Sequence, residues 1–253
     1  MIYFVGAGPG AVDLISVKGA ELLKKADLII YAGSLVNPEI ITTYAKKNCE
    51  ILNSASMTLE EISQKMIDAH KKNLLTVRLH SGDSSIFGAI NEQMNFLREK
   101  NIDFEIVPGI SSFCAASASL KVEYTIPEIT QTLIITRCEG KTPVPENEKL
   151  SLLAKHKSSI AVFLSTGMIE KVCEEIISGG YEPETPAALV YKASLPDEKI
   201  ILATLKTLPE LVLKSGITKT GIILIGEFLN GKKILKESKL YDKKFSHEFR
   251  KSK

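Results

Sequence analysis

The sequence has few cysteines and no long apolar run. Its four cysteines are scattered over 253 residues, and no two of them form a Cys-x-x-Cys pair. This argues against a zinc knuckle and against a disulfide framework. No apolar stretch approaches the roughly 20 residues that span a bilayer, and no basic segment followed by an apolar one opens the chain. We therefore expect a soluble cytoplasmic protein with reduced thiols.

The sequence also lacks an excess of charge of either sign. Its 32 basic and 30 acidic residues leave a formal net charge of +2. Because no global field attracts nucleic acid or an anionic membrane, the expected partner is a small molecule recognised by local groups. Only residues 230–253 are dense in lysine. We interpret this basic tail as a solvated chain end, with contact to substrate carboxylates or to nucleic acid as the alternatives.

Short apolar runs alternate with amphipathic stretches in the first half of the chain, which indicates parallel strands connected by helices. The predicted strands are residues 2–5, 27–31, 74–79 and 104–107, and the predicted helices are residues 18–25, 39–47, 59–72 and 86–100. Ser16, Thr58 and Ser84 are expected to begin helices, since a hydroxyl can cap the first free N–H groups.

The second half has more strands with shorter connections. Its predicted strands are residues 133–136, 160–164, 187–192, 200–204 and 222–228, and residues 208–215 form a helix between the last two. Hairpins and a mixed sheet follow from this pattern. We predict an α/β protein of two α/β domains, residues 1–120 with a mostly parallel sheet and residues 121–229 with a mixed sheet. A cofactor cleft is expected between the domains.

A glycine-rich turn follows the first strand. Residues 6–11 read GAGPGA, which fits the Gly-x-Gly-x-x-Ala fingerprint of dinucleotide sites. That site also needs an acidic residue after the second strand, where this chain has Ala32-Gly33-Ser34. Pro9 moreover removes one backbone N–H from the turn. A nicotinamide site is therefore disfavoured, and a purely structural turn remains the alternative.

Two further glycine turns follow predicted strands. One contains Ser81-Gly82-Asp83, and the other is PGISS at residues 108–112. Ligands of open α/β sheets collect at the carboxyl ends of the strands, so the three turns predict one shared site. The Asp83 carboxylate could bind an amine or a sulfonium there. It could instead cap a helix.

Three motifs carry a resemblance to a known family. GAGPG at residues 6–10, SGDSSIFG at 81–88 and PGISS at 108–112 resemble the signatures of the tetrapyrrole methylases. YAGSLVNPEI at 31–40 and the tail sequence KLYDKKFSHEFRK at 239–251 resemble the branch that methylates C11 of precorrin-4 in corrin synthesis. The resemblance implies two α/β domains, S-adenosylmethionine as methyl donor with S-adenosylhomocysteine as product, a tetrapyrrole substrate and a homodimer.

The resemblance also implies which residues form the site. The expected cofactor contacts are Pro9, Ser81, Gly82, Asp83, Ile86, Ser111, Ser112, Ser165, Ala193, Thr220, Gly221 and Ile222. Asp83 is the one expected catalytic group, as an electrostatic partner or an aid to proton removal. Cations near substrate carboxylates are expected at Arg137, Lys141 and Lys192.

Methyl transfer requires no metal or acid–base pair of the protein, and none is predicted. The four histidines are expected to have ordinary structural or surface roles. Three alternatives stay open: a tetrapyrrole methylase with another substrate, such as uroporphyrinogen III, a noncatalytic tetrapyrrole-binding protein, and the disfavoured nicotinamide enzyme. Whether the substrate contains cobalt is also open.

Overall fold

The structure is a computed structural model that describes residues 1–233 and 238–251. The contacts divide the chain into two units. The first is Met1–Ala115 with Ala193–Pro196, and the second is Ala116–Lys192 with Asp197–Lys253. The point of division lies within one helix, Ser112–Leu120.

The first unit contains a parallel sheet connected by helices. In chain order its elements are β1 (Ile2–Gly6), α1 (Val17–Lys25), β2 (Leu28–Tyr31), α2 (Pro38–Tyr44), β3 (Glu50–Asn53), α3 (Leu59–Lys71), β4 (Thr76–His80), α4 (Asn91–Glu99), β5 (Phe104–Val107) and the start of α5 (Ser112–Leu120). The strand order is β3-β2-β4-β1-β5, and every pair is parallel. The parallel sheet predicted for this half is confirmed.

Both faces of this sheet are buried by helices. One face packs Val5, Ile29 and Leu79 with Leu23 of α1. The opposite face packs Ile2, Phe4 and Ile30 with residues of α3 and α4. Alternate residues of each strand therefore enter different cores, as expected when helices cover both faces.

The predicted helix starts have different outcomes. The Ser16 side chain accepts a hydrogen bond from Gly19 N at 3.1 Å, and Thr58 forms a capping box with Glu61. Ser84 begins no helix, because α4 starts at Asn91. Phe87 and Ala89 have φ angles of 52° and 49°, and this left-handed backbone cannot continue a helix. The prediction of a helix from residue 86 was therefore wrong.

The second unit contains the mixed sheet. Its elements are the rest of α5, β6 (Leu133–Arg137), α6 (Leu150–Leu153), β7 (Ser159–Phe163), α7 (Ile169–Ser178), β8 (Pro186–Tyr191), β9 (Lys199–Thr204), α8 (Leu208–Ser215) and β10 (Gly221–Ile225). The strand order is β6-β7-β10-β8-β9, in which only β6 and β7 are parallel. The mixed sheet is confirmed. Strand β3 of the first unit and helices α6 and α7 of the second were not predicted.

Short 3-10 helices occur in connections at Val12–Leu14, Ser54–Ser56, Glu146–Glu148, Ala154–His156, Thr166–Met168, Glu227–Lys233 and Lys239–Tyr241.

Within the predicted basic tail, residues 234–237 and 252–253 lie outside the described residues. Arg250 organises the described part, where its Nη2 donates to Leu240 O at 2.6 Å and to Asp242 O at 2.7 Å. Among the helices that the structure describes, none has the length and apolar character that crossing a membrane requires.

Candidate functional site

The three glycine turns of the first unit are bonded to one another. Strand β1 lies between β4 and β5, so the turns after these strands are neighbours. Ala7 N donates to His80 O at 2.7 Å. Gly8 and Gly82 exchange two backbone hydrogen bonds, of 3.2 Å from Gly8 N and 2.7 Å from Gly82 N. The structure thus brings together the turns that the sequence predicted to share one site.

Close backbone packing explains why the turns are rich in glycine. A Cβ added to Gly6 would lie 2.6 Å from Gly82 O and 2.7 Å from the Cα of Gly109. Gly8 has a φ of 80° and would place a Cβ 2.5 Å from Leu14 O. Neither position has room for a side chain, so the edge of the sheet presents mainly backbone groups.

Asp83 joins two of the turns through its carboxylate. Its Oδ2 accepts a hydrogen bond from Gly109 N at 2.7 Å, and its Oδ1 accepts from Ser85 N at 2.9 Å and from Ser85 Oγ. Partial burial acts to raise the pKa of Asp83, but the hydrogen bonds from Ser85 and Gly109 outweigh it and lower the pKa. Asp83 is therefore an ionised link between the turns after β4 and β5. Its reading as the cap of α4 was wrong, because that helix starts at Asn91.

Two further side chains hold the turn after β1. Ala11 N donates to Ser194 Oγ at 3.0 Å, and Asn37 Nδ2 donates to Gly10 O at 2.9 Å. Gly10 packs so closely on Leu195 that an added Cβ would lie 2.6 Å from its Cγ. The segment 193–196 therefore contacts the glycine-rich turn within the first unit, and Ala193 begins it as a buried residue.

Asn37 and Ser194 were not predicted from the sequence. Asn37 had a signal, because Asn before Pro38 is typical of a helix start, and its side chain does accept from Glu39 N. Ser194 had none, since its partner is distant in sequence. The other predicted contacts in this unit lie on the turns themselves. Pro9, Ser81, Gly82, Ile86 and Ser112 are partly exposed, and Ser111 is buried.

The predicted residues of the second unit lie at one end of its sheet. Arg137 ends β6, Ser165 follows β7, Lys192 follows β8, and Thr220 precedes β10. Because β8 and β10 are antiparallel, the end of one lies beside the start of the other, and Lys192 N donates to Thr220 O at 3.0 Å. Gly221 and the buried Ile222 open β10 at the same end.

Unusual backbone conformations mark this end of the second sheet. Leu164, Lys192 and Thr220 have φ angles of 54°, 49° and 61° and lie at the ends of three adjacent strands. Each such non-glycine residue costs about 1–3 kcal/mol where the conformation is sparsely populated. Left-handed residues of this kind cluster at ligand sites, so this end of the second sheet is a candidate ligand site.

Several predicted side chains of the second unit have local partners. Ser165 is buried, and its Oγ accepts from Cys138 N at 2.9 Å and donates to Phe163 O at 2.6 Å. Arg137 donates to Thr142 O at 3.1 Å and to Pro143 O at 2.5 Å. The side chain of Ser165 thus connects the ends of β6 and β7, and that of Arg137 holds its own loop.

The two candidate lysines differ in their surroundings. Lys192 Nζ lies 2.5 Å from Asp197 Oδ2, and the hydrogen bond to Asp197 raises the pKa of Lys192. Lys141 is exposed. Lys192 would have to exchange this ion pair to bind a substrate carboxylate, whereas Lys141 is on the surface already.

The chemistry of the site follows from these groups. The first unit offers backbone N–H and C=O groups and one ionised carboxylate. His80 lies directly before the turn, but burial and the nearby Arg78 lower its pKa to about 3, so it is neutral at working pH. In the part of the chain that the structure describes, no three His, Cys, Asp or Glu side chains are close enough to hold a metal ion. The arrangement offers a ligand backbone hydrogen-bonding groups and one negative charge.

The chain is similar over nearly its whole length to named proteins. The cobalt-precorrin-4 C(11)-methyltransferase of Methanocaldococcus jannaschii is 57% identical over 251 residues, 99% of this chain and 96% of that protein. The precorrin-4 C(11)-methyltransferase of Pseudomonas aeruginosa is 39% identical over 249 residues, 98% of each. The X-ray structure of a cobalt precorrin-4 methyltransferase, described as a cobalamin biosynthetic enzyme, superposes with a TM-score of 0.88 at 48% identity. It covers 90% of this chain and 95% of that one.

The family model of the tetrapyrrole (corrin/porphyrin) methylases matches residues 1–209. That range contains all three glycine turns and both sheets except β10. The parallel sheet, the bonded turns and this match agree, and the chain belongs to the tetrapyrrole methylase family.

Proposed function

We propose that this protein transfers a methyl group from S-adenosylmethionine to C11 of cobalt-precorrin-4 during synthesis of the corrin ring of cobalamin. The observation that carries the proposal is the extent of the similarity. The match to the Methanocaldococcus jannaschii enzyme covers 251 residues at 57% identity, whereas the family model ends at residue 209. The agreement therefore includes the carboxyl-terminal part of the chain, which the general family model does not describe.

The glycine turns fit this donor better than a dinucleotide. When bound, S-adenosylmethionine supplies a methyl group on a positively charged sulfur, which becomes a neutral thioether as a carbon of the macrocycle takes the methyl. S-adenosylmethionine has no pyrophosphate, so its site does not need the backbone N–H group that Pro9 removes from the turn. Alignment of nucleophile, methyl and sulfur is worth about 7–11 kcal/mol when the geometry is good.

We assign the cofactor contacts to the turns of both units. In the first unit these are Pro9, Ser81 to Asp83, Ile86, Ser111, Ser112 and Ala193, and in the second unit Ser165 and Thr220 to Ile222. The role of Asp83 is to hold the turns together and to offer its remaining acceptor position to a positive group of the donor. Its lowered pKa makes it a poor base, so proton removal is not assigned to it.

Lys141 and Lys192 are the candidate partners of substrate carboxylates. Arg137 is a weaker candidate, because its guanidinium already donates to two carbonyl groups of its loop. The sequence identities favour a cobalt-containing substrate. This chain is 57% identical to the relative named for cobalt-precorrin-4 and 39% identical to the relative named for precorrin-4. Metal-free precorrin-4 is the second candidate.

We further propose that the protein acts as a homodimer in the cytoplasm, without a nucleic acid or membrane partner. The edge strand β9 exposes 40% of Ile200 and 62% of Leu202, an apolar strip that a second copy could cover. Sedimentation velocity at micromolar concentration tests this, and a species of 27.7 kDa throughout would contradict it.

Calorimetric titration with S-adenosylhomocysteine, beside NAD, tests the donor. We expect binding of S-adenosylhomocysteine alone. Methylation assays under anaerobic conditions with cobalt-precorrin-4, precorrin-4 and uroporphyrinogen III then test the substrate, and transfer to the first is expected to be fastest. Binding of NAD, or of neither ligand, would contradict the proposal.

A further inference from the structure

Arg78 is a charged residue in the core of the first unit. It lies in the middle of β4, between Thr76 and His80 on the sheet face that packs against α3 and α4, and is 4% exposed. Burial lowers the pKa of Arg78 to about 10, so the guanidinium remains protonated at neutral pH. Among the described residues no carboxylate forms an ion pair with it.

The Arg78 guanidinium is held by neutral acceptors. Its Nη1 donates to Ile30 O of β2 at 3.1 Å, and its Nε donates to Gln93 Oε1 at 2.9 Å. Gln93 lies in the first turn of α4 and is 4% exposed. Its amide Nε2 in turn donates to Ala89 O at 2.9 Å. We call this chain of hydrogen bonds, from Ile30 O through Arg78 and Gln93 to Ala89 O, the Arg78 brace.

The Arg78 brace ends on a strained turn. Residues 83–90 form the last part of the connection from β4 to α4, and both Phe87 and Ala89 have left-handed backbones. Gly88 packs directly against Ser84 O, and the buried Ser84 Oγ has no hydrogen-bond partner among the described atoms. The turn therefore needs support from outside itself.

Its two ends are supported differently. Asp83 fixes the first end to Gly109 N, as described above, and Gln93 fixes the second end through Ala89 O. Between the two anchors lies Ile86, which is partly exposed. The position of this residue depends on both anchors.

Stability alone does not explain the Arg78 brace. A buried charge without an opposite charge is costly, and apolar residues of similar volume often replace buried ionic groups with no loss of stability. We propose that Arg78 and Gln93 are positioning residues, which hold the turn 83–90 in the conformation that binds the methyl donor. This inference rests on the proposed function, because it takes that turn as part of the donor site.

The Gln93→Glu variant separates positioning from stability. A carboxylate at this position still accepts from Arg78 and adds the missing opposite charge, but it has no amide to donate to Ala89 O. We expect an unchanged or higher Tm, faster hydrogen exchange at the amides of residues 84–90, and about tenfold weaker binding of S-adenosylhomocysteine, as for one lost hydrogen bond.

Two other variants complete the experiment. Gln131→Glu is the matched control, because Gln131 Nε2 also donates to a backbone carbonyl, Thr130 O at 3.2 Å, in an exposed position. It is expected to leave Tm, exchange and affinity unchanged. Arg78→Met removes the charge and its hydrogen bonds to Gln93 Oε1, Ile30 O and Leu79 O. It should weaken binding at least as much as Gln93→Glu.

The outcomes are distinguishable. The inference is overturned if Gln93→Glu changes neither the affinity for S-adenosylhomocysteine nor the hydrogen exchange of residues 84–90. It is also overturned if the affinity falls only in proportion to a fall in Tm, because that result indicates a purely structural role. If the unchanged protein does not bind S-adenosylhomocysteine, the proposed function fails. Hydrogen exchange at the amides of residues 84–90 in Gln93→Glu would then still show whether the Arg78 brace holds the turn.

Discussion

Asp83 joins two of the turns that form the candidate site of the first unit. Its carboxylate accepts from Gly109 N and from Ser85, and so connects two turns that are separate in sequence. An asparagine has one oxygen and cannot accept both sets of bonds, because its NH₂ group only donates. Hydrogen bonds to a charged group contribute about 1.5–3 kcal/mol each.

We predict that Asp83→Asn lowers the free energy of unfolding by about 1.5–3 kcal/mol, the contribution of one charge-assisted hydrogen bond. It should also weaken S-adenosylhomocysteine binding at least tenfold. Urea unfolding and calorimetric titration measure the two effects. Asp103→Asn, at an exposed position of the same unit, is the control and should change neither. Equal affinity of Asp83→Asn and the unchanged protein would show that the link is not needed for binding.

His80 makes the protein sensitive to acid. Its folded-state pKa is about 3, because of burial and the charge of Arg78, against an ordinary value of 6.5. Above pH 6.5 the residue is neutral in both the folded and the unfolded chain. Below it the unfolded chain binds a proton that the folded chain excludes, so stability falls as the pH drops from 6.5 towards 3.

We predict that His80 alone removes on the order of 2 kcal/mol of stability between pH 6.5 and pH 4.5. In His80→Phe, whose ring can still stack on Phe4, this part of the pH dependence should be absent. Urea unfolding across the range measures it, with exposed His156→Gln as the control. The prediction would be contradicted if the free energy of unfolding of His80→Phe fell with pH in parallel with that of the unsubstituted protein.

At the scale of residues, the sequence predicted positions better than roles. Asp83 could be identified because a Gly-Asp pair follows a strand, yet its bond to Gly109 depends on the order of strands in the sheet. Arg78 and Gln93 gave no signal, because an arginine within a strand is usually exposed and 15 residues separate the pair. Ser194 is 183 residues from Ala11. Contacts at such distances require the folded chain.

The turns after β1, β4 and β5 form the element on which the first unit's edge is built. Gly6 has an ordinary backbone conformation, so only the lack of space excludes a side chain there. Gly216 ends α8 with a φ of 71° and has no atom within 4 Å of an added Cβ, so only its conformation disfavours one. A side chain at Gly6 therefore tests the effect of a steric clash, and one at Gly216 tests the effect of a left-handed backbone.

We predict that Gly6→Ala pushes the turns apart, costs about 3 kcal/mol of stability, at the upper end of the range for an overpacked core, and abolishes donor binding. Gly216→Ala should cost only about 1–2 kcal/mol, the price of a left-handed backbone, and leave binding intact. Thermal unfolding and titration with S-adenosylhomocysteine compare them. Donor binding by a folded Gly6→Ala protein would show that the contact between the turns can relax.

Elements with a clear periodicity were predicted well, and the exceptions have physical reasons. The strands β1, β2, β4 and β5 lie within about two residues of the predicted ranges, since buried parallel strands are short apolar runs. α7 was missed although Ile169, Val172, Cys173 and Ile176 follow helical spacing and are buried. α4 was extended too far because its apolar pattern continues into residues 86–90, whose backbone is left-handed at Ala89.

At the scale of the whole molecule, the family explains features that each unit shows separately. The first sheet is parallel with its turns bonded together, and the second is mixed with left-handed residues at one end. The order and spacing of apolar runs and amphipathic stretches predicted both the parallel sheet and the mixed sheet. They could not predict the reaction, because many α/β proteins have glycine turns at strand ends. That step came from the resemblance of three ordered motifs and then from the 57% identity to the Methanocaldococcus jannaschii relative, in an alignment that covers 99% of the chain.

Methyl transfer by the purified protein is the most direct test of the proposed reaction. The purified protein is incubated anaerobically with cobalt-precorrin-4 and S-adenosylmethionine labelled with ¹³C in its methyl group, and the product is examined by NMR and mass spectrometry. We predict one labelled methyl group per macrocycle, attached to C11, and one equivalent of S-adenosylhomocysteine. A labelled methyl group at another carbon, or no transfer by a protein that binds S-adenosylhomocysteine, would contradict it.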